Sequence, residues 1–247
     1  MTTEGRKRAF ETLQAYDIDG CIAIGGNGTF TGASIFSKEY DIPFVGIPGT
    51  IDNDLYGTDF TIGFDTAINT AVEAADKIRD TADSHNRLFF VEVMGRHAGF
   101  IALHTGIGCG AGGVLIPERD TSIQDLIKTL KKGVKRSKLF STVIIAEGCR
   151  LGSATEVAQK VKEAYNFFDT KVTVIGHMQR GGSPSCSDRV LASRLGFSAV
   201  EALIEGRQNV MVGLVNNKVT FTPFDDAINK SKDVDEDLLK MAEILAL

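Results

Sequence analysis

Four times along this chain a short apolar run stops at a glycine-punctuated loop that carries polar side chains, an arrangement that packing alone does not require. Residues 18–24 lead into Gly25-Gly26-Asn27-Gly28-Thr29, and residues 44–47 into Pro48-Gly49-Thr50-Ile51-Asp52-Asn53-Asp54. Residues 88–93 lead into Met94-Gly95-Arg96-His97-Ala98-Gly99, and residues 172–175 into Gly176-His177-Met178-Gln179-Arg180-Gly181-Gly182-Ser183-Pro184. A fifth run, residues 142–146, delivers Glu147 to its end. Between these runs stand segments with apolar residues at helical spacing, such as Ile68, Val72, Ala75 and Ile78 within residues 64–80. Strands alternating with helices across short loops predict an α/β fold of layered, mainly parallel sheets flanked by helices. Open sheets of this kind place their ligands at the C-terminal edges of the strands, which is where all five loops fall.

The remaining pattern fills in that frame. Residues 6–16, 123–132, 154–167, 187–205 and 235–247 read as helices, and residues 114–116 as a short strand. Residues 210–215 and 218–222 flank Asn216-Asn217 and read as a hairpin. No linker composition marks a domain boundary, so residues 1–247 read as one region, with a two-lobe division expected at the glycine-rich passage 106–113. His104, inside a helical stretch, reads as a core histidine rather than a ligand.

A net charge of −5 argues against nucleic acid as a partner, because such proteins carry a basic excess to neutralise phosphates. The basic run from Lys131 to Lys138 reads as a solvated helix end. No apolar run reaches the ~18 residues of a membrane span, and the N-terminus lacks the apolar core of an export signal. Cys21, Cys109, Cys149 and Cys186 show no metal or redox spacing and fit a reducing cytosol, as core or near-core thiols of a cytoplasmic protein.

The loops carry one coherent chemistry. Gly25 to Thr29 sits between a strand and a helix, where bare amides at a helix N-terminus approach phosphate oxygens. Of two carboxylates spaced like Asp52 and Asp54, one suits Mg²⁺ and the other accepts a proton from a substrate hydroxyl. Arg96 and Arg180 offer planar donors for phosphate. Phosphoryl transfer to a hydroxyl is the class that needs this combination, since it rests on positioning and charge neutralisation.

These motifs together resemble bacterial-type ATP-dependent 6-phosphofructokinase, in order and spacing from about residue 4 to the C-terminus. The resemblance implies that Asp52 takes the proton from the 1-hydroxyl of fructose 6-phosphate as it attacks the ATP γ-phosphate. It implies further that Thr50 lies by the transferred group, with Arg96 and Arg180 supporting the transfer, and that Asp54 and Asn27 serve Mg²⁺. Ile51, Met94, Gly95, Arg96, Glu147, His177, Met178, Gln179 and Arg180 fall at positions that hold the sugar phosphate. Arg87 and Lys171 fall where a neighbouring subunit reaches the 6-phosphate, which implies a homo-oligomer, a tetramer in this family. Gly25, Gly26, Asn27, Gly28 and Thr29 match the nucleotide-side loop, and Gly28 matches the ATP-using branch. Arg79, Arg136 and Lys138 fall at effector-phosphate positions of an allosteric enzyme.

The departures carry expectations of their own. Asn27 stands where the family usually has Asp, Lys171 where it has a second intersubunit arginine, and Gly112 where the effector site has an acidic residue. Family members also begin with a strand and a Gly-Gly-Asp-x-Pro-Gly nucleotide loop, and this chain is expected to start after it, with turnover impaired accordingly. Three other readings compete: a pyrophosphate-dependent phosphofructokinase, a kinase of the NAD-kinase or lipid-kinase kind, and a non-catalytic sugar-phosphate-binding or regulatory subunit. The loop from His177 to Pro184 counts against the NAD- or lipid-kinase reading.

Overall fold

The computed structural model describes residues 2–80, 87–135 and 140–246, and it divides into two compact units. The first comprises Met1–Thr50, Asp54–Gly63 and Ser185–Lys232, and the second Ile51–Asn53, Phe64–Pro184 and Asp233–Leu247.

In the first unit, Cys21–Gly25 (β1) pairs in parallel with Phe44–Pro48 (β2), which pairs in parallel with Val210–Val215 (β7). Lys218–Pro223 (β8) closes the sheet antiparallel to β7, giving the order β1-β2-β7-β8. Asn216 and Asn217 form the expected tight turn, both in the left-handed region at φ of 50° and 61° that a two-residue hairpin requires. Helices cover both faces. Asn27–Tyr40 (α2) and Phe224–Asn229 (α8) pack on one, through Phe30, Ala33, Phe224 and Ala227, and Cys186–Ile204 (α7) on the other, through Leu195, Ala199 and Ala202. Strand β2 shows the alternation that makes this work. Val45 and Ile47 face α7, while Gly46 leaves room for the stacked rings of Phe30 and Phe224, whose edges would lie 2.6 Å from a Cβ there. Thr3–Ala15 (α1) belongs to this unit and buries none of its side chains.

The second unit holds a fully parallel sheet in the order β4-β5-β3-β6, built from Gly113–Leu115 (β4), Phe140–Ala146 (β5), Arg87–Val93 (β3) and Asp169–Val174 (β6). Phe89, Val91 and Val93 pack with residues of Phe64–Asp80 (α3) and Phe100–Gly108 (α4) on one face. Leu88 and Phe90 pack with residues of Ile123–Lys135 (α5) and Ala154–Ala164 (α6) on the other. Burial on both faces is why β3 and β5 read as unbroken apolar runs, whereas β6, at the sheet edge, is largely exposed. Burying each such Leu or Phe contributes about 1.5–3 kcal/mol. Glu236–Leu245 (α9) packs against α4 and β4 in the same unit. Residues 106–113, where the sequence placed a division, carry the end of α4 into β4, and both belong to the second unit because β4 pairs with β5.

Among the cysteines, Cys21, Cys109 and Cys149 are half-buried, and burial pushes each thiol up from its ordinary value. Cys186 departs from the core expectation. It opens α7 and is exposed.

Candidate active site

The first unit presents the end of β1 beside the end of β2. Gly25 lies opposite Pro48 in the parallel register, and the Gly49 amide donates to the Gly25 carbonyl at 3.0 Å. A Cβ on Gly25 would sit 2.2 Å from Thr29 Oγ1, so glycine there lets the first turn of α2 fold close over the strand end. Gly26 precedes α2 without any side-chain cap, leaving the Asn27 and Gly28 amides and the positive end of the helix dipole for an anion, while the Thr29 amide donates to the Gly26 carbonyl at 2.9 Å. Gly28 is exposed and meets nothing within 4 Å of its Cβ position. Thr50 is held in place through its carbonyl, which accepts from Thr61 Oγ1 at 2.5 Å.

Asn27 bridges this loop to the acidic stretch, its Nδ2 donating to Asp54 Oδ2 at 3.3 Å. Its Oδ1 is buried with no hydrogen-bond partner. An orphaned amide oxygen beside a carboxylate is a donor set that a hard, oxygen-seeking cation suits, with water and phosphate oxygens completing its shell. Among the described residues no three His, Cys, Asp or Glu side chains form a metal-binding cluster, and Asn27 with Asp54 is the pair here that could hold a cation.

Sequence reasoning missed Lys232. Its Nζ donates to the Asp59 carbonyl at 2.7 Å, and desolvation lowers its pKa from 10.5 to about 8 despite the opposing pull of Asp59 and Asp54. No motif surrounds it, and only its burial among carboxylates marks it. Asp188 was missed for the same reason: it is 2% exposed in the first turn of α7 and its Oδ1 accepts from the Gly63 amide at 2.8 Å.

In the second unit, Asp52 is 7% exposed and Arg96 Nε stands 3.9 Å from its Oδ2. Arg96 itself is exposed, in the left-handed region at φ 53°, after Gly95 at φ 137°. A non-glycine residue there is strained and needs its surroundings to hold it. Glu147 does so, its Oε1 accepting from the amides of Arg96 at 2.7 Å and Gly95 at 3.3 Å. Gln179 holds the residue before them, accepting from the Met94 amide at 2.9 Å. Glu118, another residue without a sequence signal, accepts from the Gly99 amide at 2.8 Å and fixes the loop's far end at the start of α4.

Gly176–Arg180 folds into a single 3-10 turn directly after β6, too short to leave a periodic trace in the sequence. It exposes His177, Met178 and Arg180 and buries Gln179. Met94, Gly95, Arg96, Glu147 and this turn thus meet at the C-terminal ends of β3, β5 and β6, as the sequence placed them.

Other expected residues lie elsewhere. Arg87 opens β3, about 20 Å along the strand from Val93, and Lys171 sits in β6 across from Phe89. Lys171 Nζ pairs with Asp169 at 3.1 Å. Ile51 is half-buried and packs on the core that Phe64 and Val93 share. Arg79 pairs with Asp76 at 2.8 Å on the last turn of α3, and Gly112 is buried, its amide bonded to the Thr142 carbonyl. Arg136 and Lys138 lie outside the described residues. No described helix is long and apolar enough to cross a membrane.

Comparison with known proteins converges on one group. The profile of the family described as phosphofructokinase matches residues 1–203. ATP-dependent 6-phosphofructokinase of Cytophaga hutchinsonii is 56% identical over 242 residues, covering 98% of this chain and 74% of the relative. ATP-dependent 6-phosphofructokinase 1 of Thermus thermophilus is 51% identical over 247 residues, covering 100% and 76%. Among solved structures, phosphofructokinase from Saccharomyces cerevisiae superposes with a TM-score of 0.88 at 33% identity, over 99% of this chain, which spans only 37% of the yeast chain. A pyrophosphate-dependent phosphofructokinase from Marinobacter aquaeolei gives 0.80 at 26% identity, over 98% and 71%. With fold, loop order and sequence in agreement, this chain belongs to the phosphofructokinase family.

Proposed function

We propose that this chain is an ATP-dependent 6-phosphofructokinase, which transfers the γ-phosphoryl group of ATP to the 1-hydroxyl of fructose 6-phosphate to give fructose 1,6-bisphosphate, a glycolytic step. The observation that carries the reading is the buried Asp52 carboxylate beside Arg96 on a strained loop that Glu147 and Gln179 hold. A carboxylate shielded from water and steered by a guanidinium is equipped to accept a hydroxyl proton as the oxygen attacks phosphorus. Arg96, His177 and Arg180 supply donors to the sugar phosphate, and Met94, Gly95 and Met178 shape its surroundings. Glu147 spends one oxygen on the loop amides, which leaves the other for a sugar hydroxyl.

On the donor side, Thr50 lies by the transferred group and Gly25 to Thr29 receive nucleotide phosphates at the start of α2. Asn27 Oδ1 and Asp54 would hold Mg²⁺, which would supply charge neutralisation on the phosphate oxygens. ATP is favoured over pyrophosphate as donor by the names of the relatives at 56% and 51% identity, against 26% for the pyrophosphate-dependent structure. Arg87 and Lys171, set back along their strands, serve the 6-phosphate of a neighbouring copy in a homo-oligomer.

Coupled turnover with Mg-ATP and fructose 6-phosphate tests this, with calorimetry alongside. Turnover with ATP and none with pyrophosphate is the expected result. Sugar-phosphate binding with no turnover on either donor would replace it with a non-catalytic binding subunit, the reading that Asn27 in place of a carboxylate favours.

A further inference from the structure

Gln179 is the one buried residue of an otherwise exposed turn, at 1% exposure, and its amide is half satisfied. Its Oε1 accepts from the Met94 amide at 2.9 Å, whereas its buried Nε2 has no partner. The orientation is not arbitrary. A backbone N–H can only donate, so the side-chain oxygen must face Met94 and the NH₂ must face away. An amide whose oxygen is engaged while its buried NH₂ has no protein partner is held in that orientation by its acceptor end.

What that acceptor secures is the loop of the proposed sugar site. Met94, Gly95 and Arg96 donate three consecutive amides, the first to Gln179 and the next two to Glu147. The last two residues hold left-handed backbone, at φ of 137° and 53°. Those acceptors hold that conformation, in which Arg96 Nε stands 3.9 Å from Asp52 Oδ2. Gln179 is also the link through which the turn bearing His177 and Arg180 grips the loop bearing Arg96.

We infer that Gln179 is a positioning residue, which never meets the sugar phosphate itself but registers Arg96 against His177 and Arg180 by clamping the Met94 amide. This rests on the proposed reading of the site as a fructose 6-phosphate site. It assigns Gln179 a role different from the sequence expectation, which placed it among the residues touching substrate.

The test compares Gln179→Met, which keeps length and removes the acceptor, with Gln179→Glu, which keeps it. Both are made in the full chain and studied at one pH, since a carboxyl in either protonation state keeps an oxygen that can accept from the Met94 amide. For Gln179→Met the expected results are faster hydrogen exchange of the amides of residues 94–96 and a rise of about tenfold in the dissociation constant for fructose 6-phosphate. The KM for ATP should stay unchanged, the melting temperature should fall because the buried Met94 amide loses its acceptor, and Gln179→Glu should restore exchange protection and affinity. Unchanged exchange in Gln179→Met overturns the clamp. Failure of Gln179→Glu to rescue, or a loss of sugar affinity matched by an equal rise in the KM for ATP, overturns it as well. If the unmodified chain binds no fructose 6-phosphate, the proposed function fails, and the exchange measurement still decides whether Gln179 clamps the loop.

Discussion

Asp52 and Asp54 stand two residues apart and have different surroundings, one 7% exposed beside Arg96, the other half-buried beside Asn27. Replacing Asp52 with Ser removes the proton acceptor while leaving the donors to the sugar phosphate. Steady-state kinetics should then show kcat down by about 10²–10⁴ with fructose 6-phosphate affinity little altered, and an equal loss in both would make its role binding. Asn27→Asp would place a second carboxylate 3.3 Å from Asp54, where like charges repel unless a cation intervenes. Its melting temperature should fall in EDTA and recover with Mg²⁺, more so than for the unmodified chain. The pH dependence of stability singles out Lys232. With a folded pKa of about 8 against 10.5 unfolded, the native state has released its proton between those values while the unfolded chain keeps it. Stability therefore rises with pH across that window, is fully gained above 10.5 and is lost as pH falls through 8. Relative to Lys232→Met, the native chain should gain about 3 kcal/mol between neutral pH and pH 10.5 in denaturant titrations. Asp52, Arg96, Glu147 and His177 were legible because glycine punctuation marks strand ends. Lys232 and Glu118 were not, since their partners come from segments with no local relation to them.

At the scale of elements, periodicity located the long helices and the apolar strands to within a few residues, and the paired asparagines located the hairpin. It missed the turn Gly176–Arg180 and the helix Phe224–Asn229, each too short for an apolar stripe to repeat. It also left undecided which strands share a sheet, because parallel strands buried on both faces all read alike. Ser153 caps α6 in a reciprocal box with Glu156, each side chain bonding the other's backbone amide. Ser153→Ala should lower stability by about 1 kcal/mol in denaturant titrations without changing sugar-phosphate binding. Gly46→Ala, in contrast, drives a methyl into the rings of Phe30 and Phe224 and should cost more than the cap does.

At the scale of the whole molecule, the proposed placement of Arg87 and Lys171 in a neighbour's site makes a mixing experiment decisive. Chains carrying Arg87→Ala and chains carrying Asp52→Ser should each be impaired, and oligomers assembled from both should recover part of the activity, since one site in the mixture keeps both residues. No recovery would mean that each chain works with its own Arg87. The sequence conveyed none of the division into units, because the chain leaves the first unit after Thr50, touches it again at Asp54–Gly63 and returns only at Ser185. Local composition does not register such returns. The register of β2 with β7 gives this connectivity a cost in time. Val45 pairs with Val210, so on a ribosome adding roughly 5–20 residues per second the first two strands emerge on the order of ten to thirty seconds before their partner exists. Throughout that interval the apolar face meant for α7 is open to other nascent chains. The first unit is thus the part of this protein whose yield should respond most to chaperones and to slower growth temperature.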